Sequence, residues 1–479
     1  MAVTESPRRG AGAAETSVAG HRLDRSTVPL LLTLGLGVFA GALDLGVLSP
    51  ALPALGRSFG VGPGALAWVF TLYLLANVAS IPIMTKLADR NGRRPVYIAC
   101  VAVFAAGSMG AIGARSFPVF LIARAIAAVG AGGIFPVATA AIADRIPPER
   151  RGAALGLVAA TWGLAAVIGP SLGGILTHFL SWHWIFAANL PLAIVVIAMA
   201  RKTLPSQVSN VRGPLDAGGI VTLTLGLLAV MVGLTQLGAL LVPMLVLGAV
   251  LFAAFVAVER RAQEPVIRLY LFGQRQLQLT YALELLIGIL EGALFFIPAA
   301  LVAAQHMSYA AAGGIATLGA LMFVAVIPAA GRALDAVGSR WVLTAGTLLT
   351  ALGLLIFAFG FGSLWISLVA MVVAGTGFGA LLGAPTRYII TNSVSADQRA
   401  SAVGLLSIFL IIGQILGGSL AGGIIAAHAV DTQGYRTAYC AFTAIAVVAA
   451  VLTLALKSKA AEKLVPARVV APAAGLRAG

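Results

Sequence analysis

Charge is scarce in this chain. Only 10% of its 479 residues are Asp, Glu, Lys or Arg, against 60% hydrophobic. Soluble domains carry roughly 25% charged residues. So little polar surface excludes an ordinary water-soluble fold, and a bilayer that solvates the outer face accounts for the apolar excess. Acidic residues are rarer still, with 16 Asp and Glu against 31 Lys and Arg. Two cysteines, Cys100 and Cys440, both within apolar runs, exclude a disulfide framework and give no metal-ligand spacing. The five histidines are scattered, with His178, His183 and His306 all expected near the outer surface. No clustered nucleophile, base or metal set points to an enzyme. There is no Gly-rich phosphate loop ending in Lys-Ser/Thr, and no large polar domain to hydrolyse a nucleotide. No cofactor or metal is called for. The first 27 residues are polar, without the apolar core of a cleavable leader.

What is present is a series of long apolar runs. About 18 apolar residues suffice to cross the hydrocarbon core. Runs at 28–52, 65–87, 95–114, 117–143, 152–177, 184–201, 216–236, 240–258, 278–302, 311–330, 341–361, 364–388, 401–427 and 436–456 give about fourteen predicted transmembrane helices.

The net charge of +15 raises the question of a nucleic-acid partner, and its placement answers it. Basic residues occupy the N-terminal tail and then every second loop: Lys86 to Arg94, Arg145 to Arg151, Arg201 to Arg212, Arg260 to Arg275, Arg332 and Arg340, Arg387 and Arg399, and Lys457 to Arg477. The alternate loops hold Arg57, Arg115 and Arg436. This is the positive-inside pattern; it predicts both termini in the cytoplasm and an even number of spans.

Two of the basic loops have counterparts later in the chain. Leu87-Ala88-Asp89-Arg90-Asn91-Gly92-Arg93-Arg94 is echoed about 246 residues on by Ala333-Leu334-Asp335-Ala336-Val337-Gly338-Ser339-Arg340. Pro148-Glu149-Arg150-Arg151-Gly152-Ala153-Ala154-Leu155-Gly156 is echoed about 248 residues on by Ala396-Asp397-Gln398-Arg399-Ala400-Ser401-Ala402-Val403-Gly404. Two matches at nearly one offset indicate a parallel repeat of six spans per half. The expected organisation is a tail at 1–27, an N-terminal bundle at 28–201, a linker and inserted transmembrane hairpin at 202–258, a basic segment at 259–277, a C-terminal bundle at 278–457 and a tail at 458–479.

These loops resemble those of the major facilitator superfamily, and within it the fourteen-span drug:proton antiporters. The loop after the second span resembles the family's Gly-x-Leu-x-Asp-x-x-Gly-Arg-Arg motif, with Thr85 at the leading Gly; the second copy has Gly331 there. The fourth span resembles Arg-x-x-Gln-Gly-x-Gly-x-Gly through Arg124, Gly130 and Gly132, with Ala127 and Ala128 at the Gln and first Gly. Gly163, Gly169, Pro170, Gly173 and Gly174 resemble the family's antiport motif in the fifth span. Ser181-Trp182-His183-Trp184-Ile185-Phe186 with Asn189-Leu190-Pro191, and Ala42-Leu43-Asp44 through Ala51-Leu52-Pro53, resemble fourteen-span members at the sixth and first spans. The resemblance implies an all-α fold of two six-helix bundles plus a two-helix hairpin. It also implies alternating access and proton-coupled export of amphipathic or cationic small molecules across the cytoplasmic membrane of a bacterium, by one chain holding both halves.

Charges inside the spans carry the site expectations, since each costs at least about 2.5–3.5 kcal/mol at the centre of a helix and by default marks a pathway or relay. At roughly 1.5 Å per residue, Asp44 lies about 12 Å and Arg124 about 10 Å from the outer ends of their helices. The two are expected to interact directly or through water, either as a proton-coupling pair or as a static ion pair. Glu284 and Glu291 lie two turns apart on one helix face. A carboxyl group in apolar surroundings can bind and release protons near neutral pH. Both are candidates for proton carriage or cation binding, with interfacial snorkelling the competing account of Glu284. Asp89, Gly92, Arg93 and Arg94, with Asp335 and Gly338 in the second copy, are read as a gating latch. Gly163, Gly169, Pro170, Gly173 and Gly174 are read as a close-packing face that seals one side. Tyr73, Asn77, Trp162, Phe295, Asn392 and Gln414 are candidates for a cavity lining. Energy is expected from an ion gradient. The alternative is export of lipid or lipid-like substrates, whose mark is an apolar lateral opening beside the hairpin; an embedded enzyme or a passive channel fits the residues less well.

Overall fold

The computed structural model describes residues 27–146, 148–204, 216–263, 265, 267, 269–382, 385–394, 399–428 and 432–459. Residues 1–26 and 460–479 of the expected tails, residues 205–215 of the expected linker and the repeat residues Ala396, Asp397 and Gln398 lie outside them. The side chains of Arg150, Arg151, Gly152 and Ala153 are likewise outside.

Among the described residues, fourteen helical spans are long and apolar enough to cross a membrane. We label them α1 (Val28–Phe59), α2 (Pro63–Asn91), α3 (Arg93–Ile112), α4 (Phe117–Ile142), α5 (Ala160–Phe179), α6 (His183–Thr203), α7 (Ala217–Gln236), α8 (Leu241–Glu259), α9 (Arg275–Gln305), α10 (Tyr309–Val337), α11 (Ser339–Gly360), α12 (Leu364–Ser393), α13 (Ala402–Ala427) and α14 (Thr432–Thr453). Helix is the only open-ended element a bilayer accepts, because it satisfies its own backbone polar groups. Several spans run past the apolar stretch read from sequence. The helix containing α4 continues to Arg145, which brings Asp144 to the basic face.

Three spans are broken at a position set by proline. Proline has no N–H to give to the carbonyl four residues back, and its ring crowds that carbonyl. The first helix of α1 stops at Gly46, four residues before Pro50. That of α6 stops at Ala187, four before Pro191. That of α9 stops at Leu294, four before Pro298. Each resumes within a few residues. Pro82, Pro136 and Pro328 sit inside helices assigned without interruption, so a proline allows a break but does not impose one.

Within the N-terminal half, α1 packs on α5 and α6, and α4 on α2 and α3. The C-terminal half repeats this, with α9 on α13 and α14, and α12 on α10 and α11. The halves meet where α5 lies on α10 and α13 lies on α2. In the hairpin, α7 lies against α2 and α13, while α8 packs on α7 and exposes most of its remaining surface.

Glycine permits these approaches. A Cβ at Gly169 would strike Gly46 of α1, and one at Gly173 would strike the backbone of Val47. Gly413 and Gly417 of α13 stand in the same relation to Gly288 and Ile289 of α9. The spacing Gly169, Gly173, Gly174 recurs in sequence as Gly413, Gly417, Gly418, a third repeat match that the loop comparison alone does not reveal. Gly163 has room, its nearest neighbour being a Val324 methyl 3.6 Å from the Cβ position. Gly173→Ala is therefore expected to cost about 1–3 kcal/mol through overpacking against backbone, while Gly163→Ala is near neutral. Thermal unfolding in detergent compares the two directly.

Candidate functional site

Asp44 and Arg124 are completely buried and form a direct ion pair. Arg124 Nη1 donates to Asp44 Oδ2. Asn189 Nδ2 donates to the other carboxylate oxygen, Oδ1, at 3.0 Å and to Ser108 Oγ at 3.2 Å. The Arg124 guanidinium also lies 4.2 Å from the ring centre of Tyr73 and 5.6 Å from that of Phe186. Five of the six N-terminal spans thus contribute to one polar cluster: α1 gives Asp44, α2 Tyr73, α3 Ser108, α4 Arg124, and α6 Phe186 and Asn189. The break before Pro191 places Asn189 at the first residue of a resumed helix, 2% exposed and pointing inward. Two Arg124 donors, Nε and Nη2, are buried with no hydrogen-bond partner among the described residues.

The C-terminal half holds two smaller acidic sites. Glu291 is hydrogen-bonded to Gln414 of α13. Glu284, 7% exposed, is hydrogen-bonded to Thr386 of α12, with Arg387 nearby. Although two turns apart on α9, the glutamates face different neighbours. One oxygen of each, Oε2, is buried without a hydrogen-bond partner among the described residues.

On the basic face, Arg93 bonds Asp89 at 2.5 Å and Asp144 at 3.0 Å, tying the loop after α2 to the end of the α4 helix. Arg94 is half-buried. Gly92 has φ +94° and Gly338 φ +89°, a left-handed range that only glycine enters without steric cost. Both copies of the loop need glycine for the same backbone reason. Asp335 is exposed, and Lys459 Nζ donates to the Ala336 carbonyl at 2.7 Å, a basic side chain completing the C-terminus of a helix.

The described polar and aromatic contacts between the halves gather away from the basic face. Ser49 donates to the Phe295 carbonyl at 2.7 Å, uniting the breaks of α1 and α9. The Phe295 ring stacks on Phe70 at 4.3 Å. Ser171 and Thr317 share a 2.7 Å hydrogen bond, and Arg57 lies over Tyr309 at 5.3 Å. A Cβ at Gly174 would strike the Tyr309 carbonyl, and one at Gly313 the Pro170 carbonyl. The glycine face of α5 thus seals both within its own half, through Gly169 and Gly173, and across the halves, through Gly174.

Of the candidate lining residues, Tyr73 lies beneath Arg124 and Phe295 in the contact between halves. Gln414 meets Glu291. Asn77 is half-buried, Trp162 is 45% exposed, and Asn392 borders a small recess with Tyr388 and Lys457. A larger open cavity of about 570 Å³ lies elsewhere, at the ends of α2, α4, α7 and α13 away from the basic face. Its lining includes Pro63, Trp68, Phe117, Leu121, Gln236 and Ala426, and none of the buried acids. Asn189 and Ser108 are absent from the sequence-based candidates. Asn189 is legible there only as part of a fourteen-span signature; an amide inside an apolar span, two residues before a proline, is the available signal.

Fourteen spans, paired halves and charge buried within the bundle define a multi-pass membrane transporter. The chain belongs to the Major Facilitator Superfamily, whose family model matches residues 34–304 and 279–476. Members are transporters, not enzymes. The chain is 35% identical to the MFS-type transporter YfiU of Bacillus subtilis over 82% of this chain and 78% of that protein. It is 29% identical to the multidrug resistance protein B homolog of Mycobacterium tuberculosis over 83% and 76%. Among solved structures, a point variant of the nucleoside transporter NupG superposes with a TM-score of 0.67 at 15% identity, covering 89% of this chain and 99% of that one.

A buried pair costs most when one partner is removed and the other is left charged. Arg124→Leu is expected to lose about 3–5 kcal/mol of stability. The double variant Asp44→Leu with Arg124→Leu should recover part of that loss, a non-additivity that thermal unfolding of the four-member cycle reads out.

Proposed function

We propose that this protein is a proton-coupled antiporter that exports amphipathic or cationic small molecules by alternating access, with residues 28–201 and 278–457 as the two rocking halves. The observation that carries the reading is Asp44: a carboxylate with no exposure, held by one arginine in a lipid-embedded bundle. A charge placed there is costly and by default functional. Protonation of Asp44 removes its attraction for Arg124 and frees that guanidinium, giving the N-terminal half two electrostatic states. Glu291 with Gln414, and Glu284 with Thr386, offer acid sites in the other half. Several relatives carry multidrug names, the Mycobacterium tuberculosis homolog among them.

The positive-inside rule assigns the basic face to the cytoplasm, with both termini. The contacts between the halves then lie toward the outside, which makes this the inward-facing arrangement. The Asp89–Arg93–Asp144 network on the cytoplasmic side serves as a latch that differs between arrangements. We place the protein in the cytoplasmic membrane of a bacterium, working as a monomer because one chain supplies both halves.

The cavity beside the end of α7 supports a second reading, export of a lipid-like substrate. It is largely apolar and adjoins the hairpin, as a lateral opening would.

Proteoliposomes containing a pH-sensitive dye separate the readings. Cationic drugs, neutral drugs and phospholipids are each added to vesicles carrying the protein. Cation-driven proton flux is expected from the native chain and its loss from Asp44→Asn. Glu291→Gln should weaken transport of cations more than that of neutral compounds. Full flux in Asp44→Asn removes Asp44 from coupling, and lipid transport without proton flux favours the second reading.

A further inference from the structure

Asp44 has a second partner whose chemistry differs from that of arginine. Arg124 has only N–H donors and cannot accept a hydrogen bond. A proton arriving on Asp44 Oδ2 therefore finds no acceptor in Arg124, its ion-pair partner there. On the Oδ1 side stands the Asn189 amide, 2% exposed, its Nδ2 donating to both Asp44 Oδ1 and Ser108 Oγ. An amide carries a donor and an acceptor at opposite ends, and a hydroxyl is both at once.

From this geometry we infer that Asn189 is the positioning residue that directs the coupling proton to Asp44 Oδ1 and keeps both protonation states of that acid hydrogen-bonded. The inference rests on the reading of Asp44 as the proton site. In the ionised state Asn189 donates through Nδ2, as observed. When Oδ1 gains a proton, a half-turn of the amide presents Asn189 Oδ1 to accept from the new O–H. Ser108 follows by turning its hydroxyl from acceptor to donor toward the same amide oxygen. One proton is added, no covalent bond other than O–H forms or breaks, and the two hydrogen bonds of the amide are kept with their directions reversed, Nδ2 turning away from both of its acceptors as the amide oxygen takes its place. Leaving the new acid proton facing an N–H, with no acceptor, costs about 1–3 kcal/mol, so the amide flip removes a donor-to-donor opposition that would otherwise resist proton uptake. The groups facing Asp44 from the packed elements are Arg124, Tyr73, Asn189 and Ser108. Arg124 is the one permanent charge among them.

The test is infrared difference spectroscopy of the full-length protein in liposomes, taken between alkaline and acid buffer. The protonated-carboxyl C=O band that vanishes in Asp44→Asn belongs to Asp44. Asn189→Leu, which has similar volume and no polar atom, is expected to move that band to higher frequency, as befits a carboxylic acid deprived of its acceptor. Asn189→Ser, which can donate and accept, should keep it near the native position. Thermal unfolding of each variant verifies the fold. Should Asn189→Leu fail to fold, Ser108→Ala takes its place, with a smaller upward shift expected. An unmoved band in the folded Leu variant, or in Ser108→Ala where that stands in, overturns the role of Asn189 and leaves Asp44 as the proton site. No band lost in Asp44→Asn overturns both readings together.

Discussion

In a bilayer, apolar surface gains little by leaving lipid for another helix, so association rests on close packing and on hydrogen bonds between helices. Contact between backbones is the constraint on which this structure depends. Gly169 and Gly173 let α5 touch the α1 backbone at Gly46 and Val47, two and three residues beyond Asp44. Gly413 and Gly417 do the same for α13 on α9, beside Glu291. The helices that carry the acids are thereby held backbone to backbone within each half.

The same glycine faces reach outward. Gly174 meets α10, and Gly418 and Gly422 approach Thr71 and Ala67 of α2. One helix in each half thus binds its own bundle and seals against the other. The seam consists of α5 on α10 and α13 on α2, so the rocking proposed above would open these two contacts and leave those inside each half in place. Asp44, Arg124 and Asn189 sit wholly within the N-terminal half, so the two electrostatic states proposed for them would act on that body before they act on the interface.

The second half is a copy in backbone and not in chemistry. Gln414 stands where the repeat places Pro170, and it bonds Glu291. Asp89 and Asp144 hold Arg93 in the first loop, while the equivalent loop of the second half is completed by Lys459 from beyond α14. The repeat gives the two halves a shared geometry. The side chains differ, so one half carries a buried ion pair and the other carries separate acids.

The span count, the basic face, the repeat and the need for glycine at Gly92 and Gly338 are all legible in the residue order, because they follow from hydropathy, charge placement and local backbone sterics. The similar depth of Asp44 and Arg124 is legible too, since rise along a helix is a local quantity. Packing in three dimensions makes them pair directly, brings Asn189 to complete the carboxylate, and turns Glu284 and Glu291 to different helices. Helix rotation and crossing set those contacts, and neither is written in a single span. The prolines make the same point: Pro50, Pro191 and Pro298 break their helices while Pro82, Pro136 and Pro328 do not. The lost hydrogen bond is common to all six, and packing by neighbouring helices decides whether the chain breaks or bends around it.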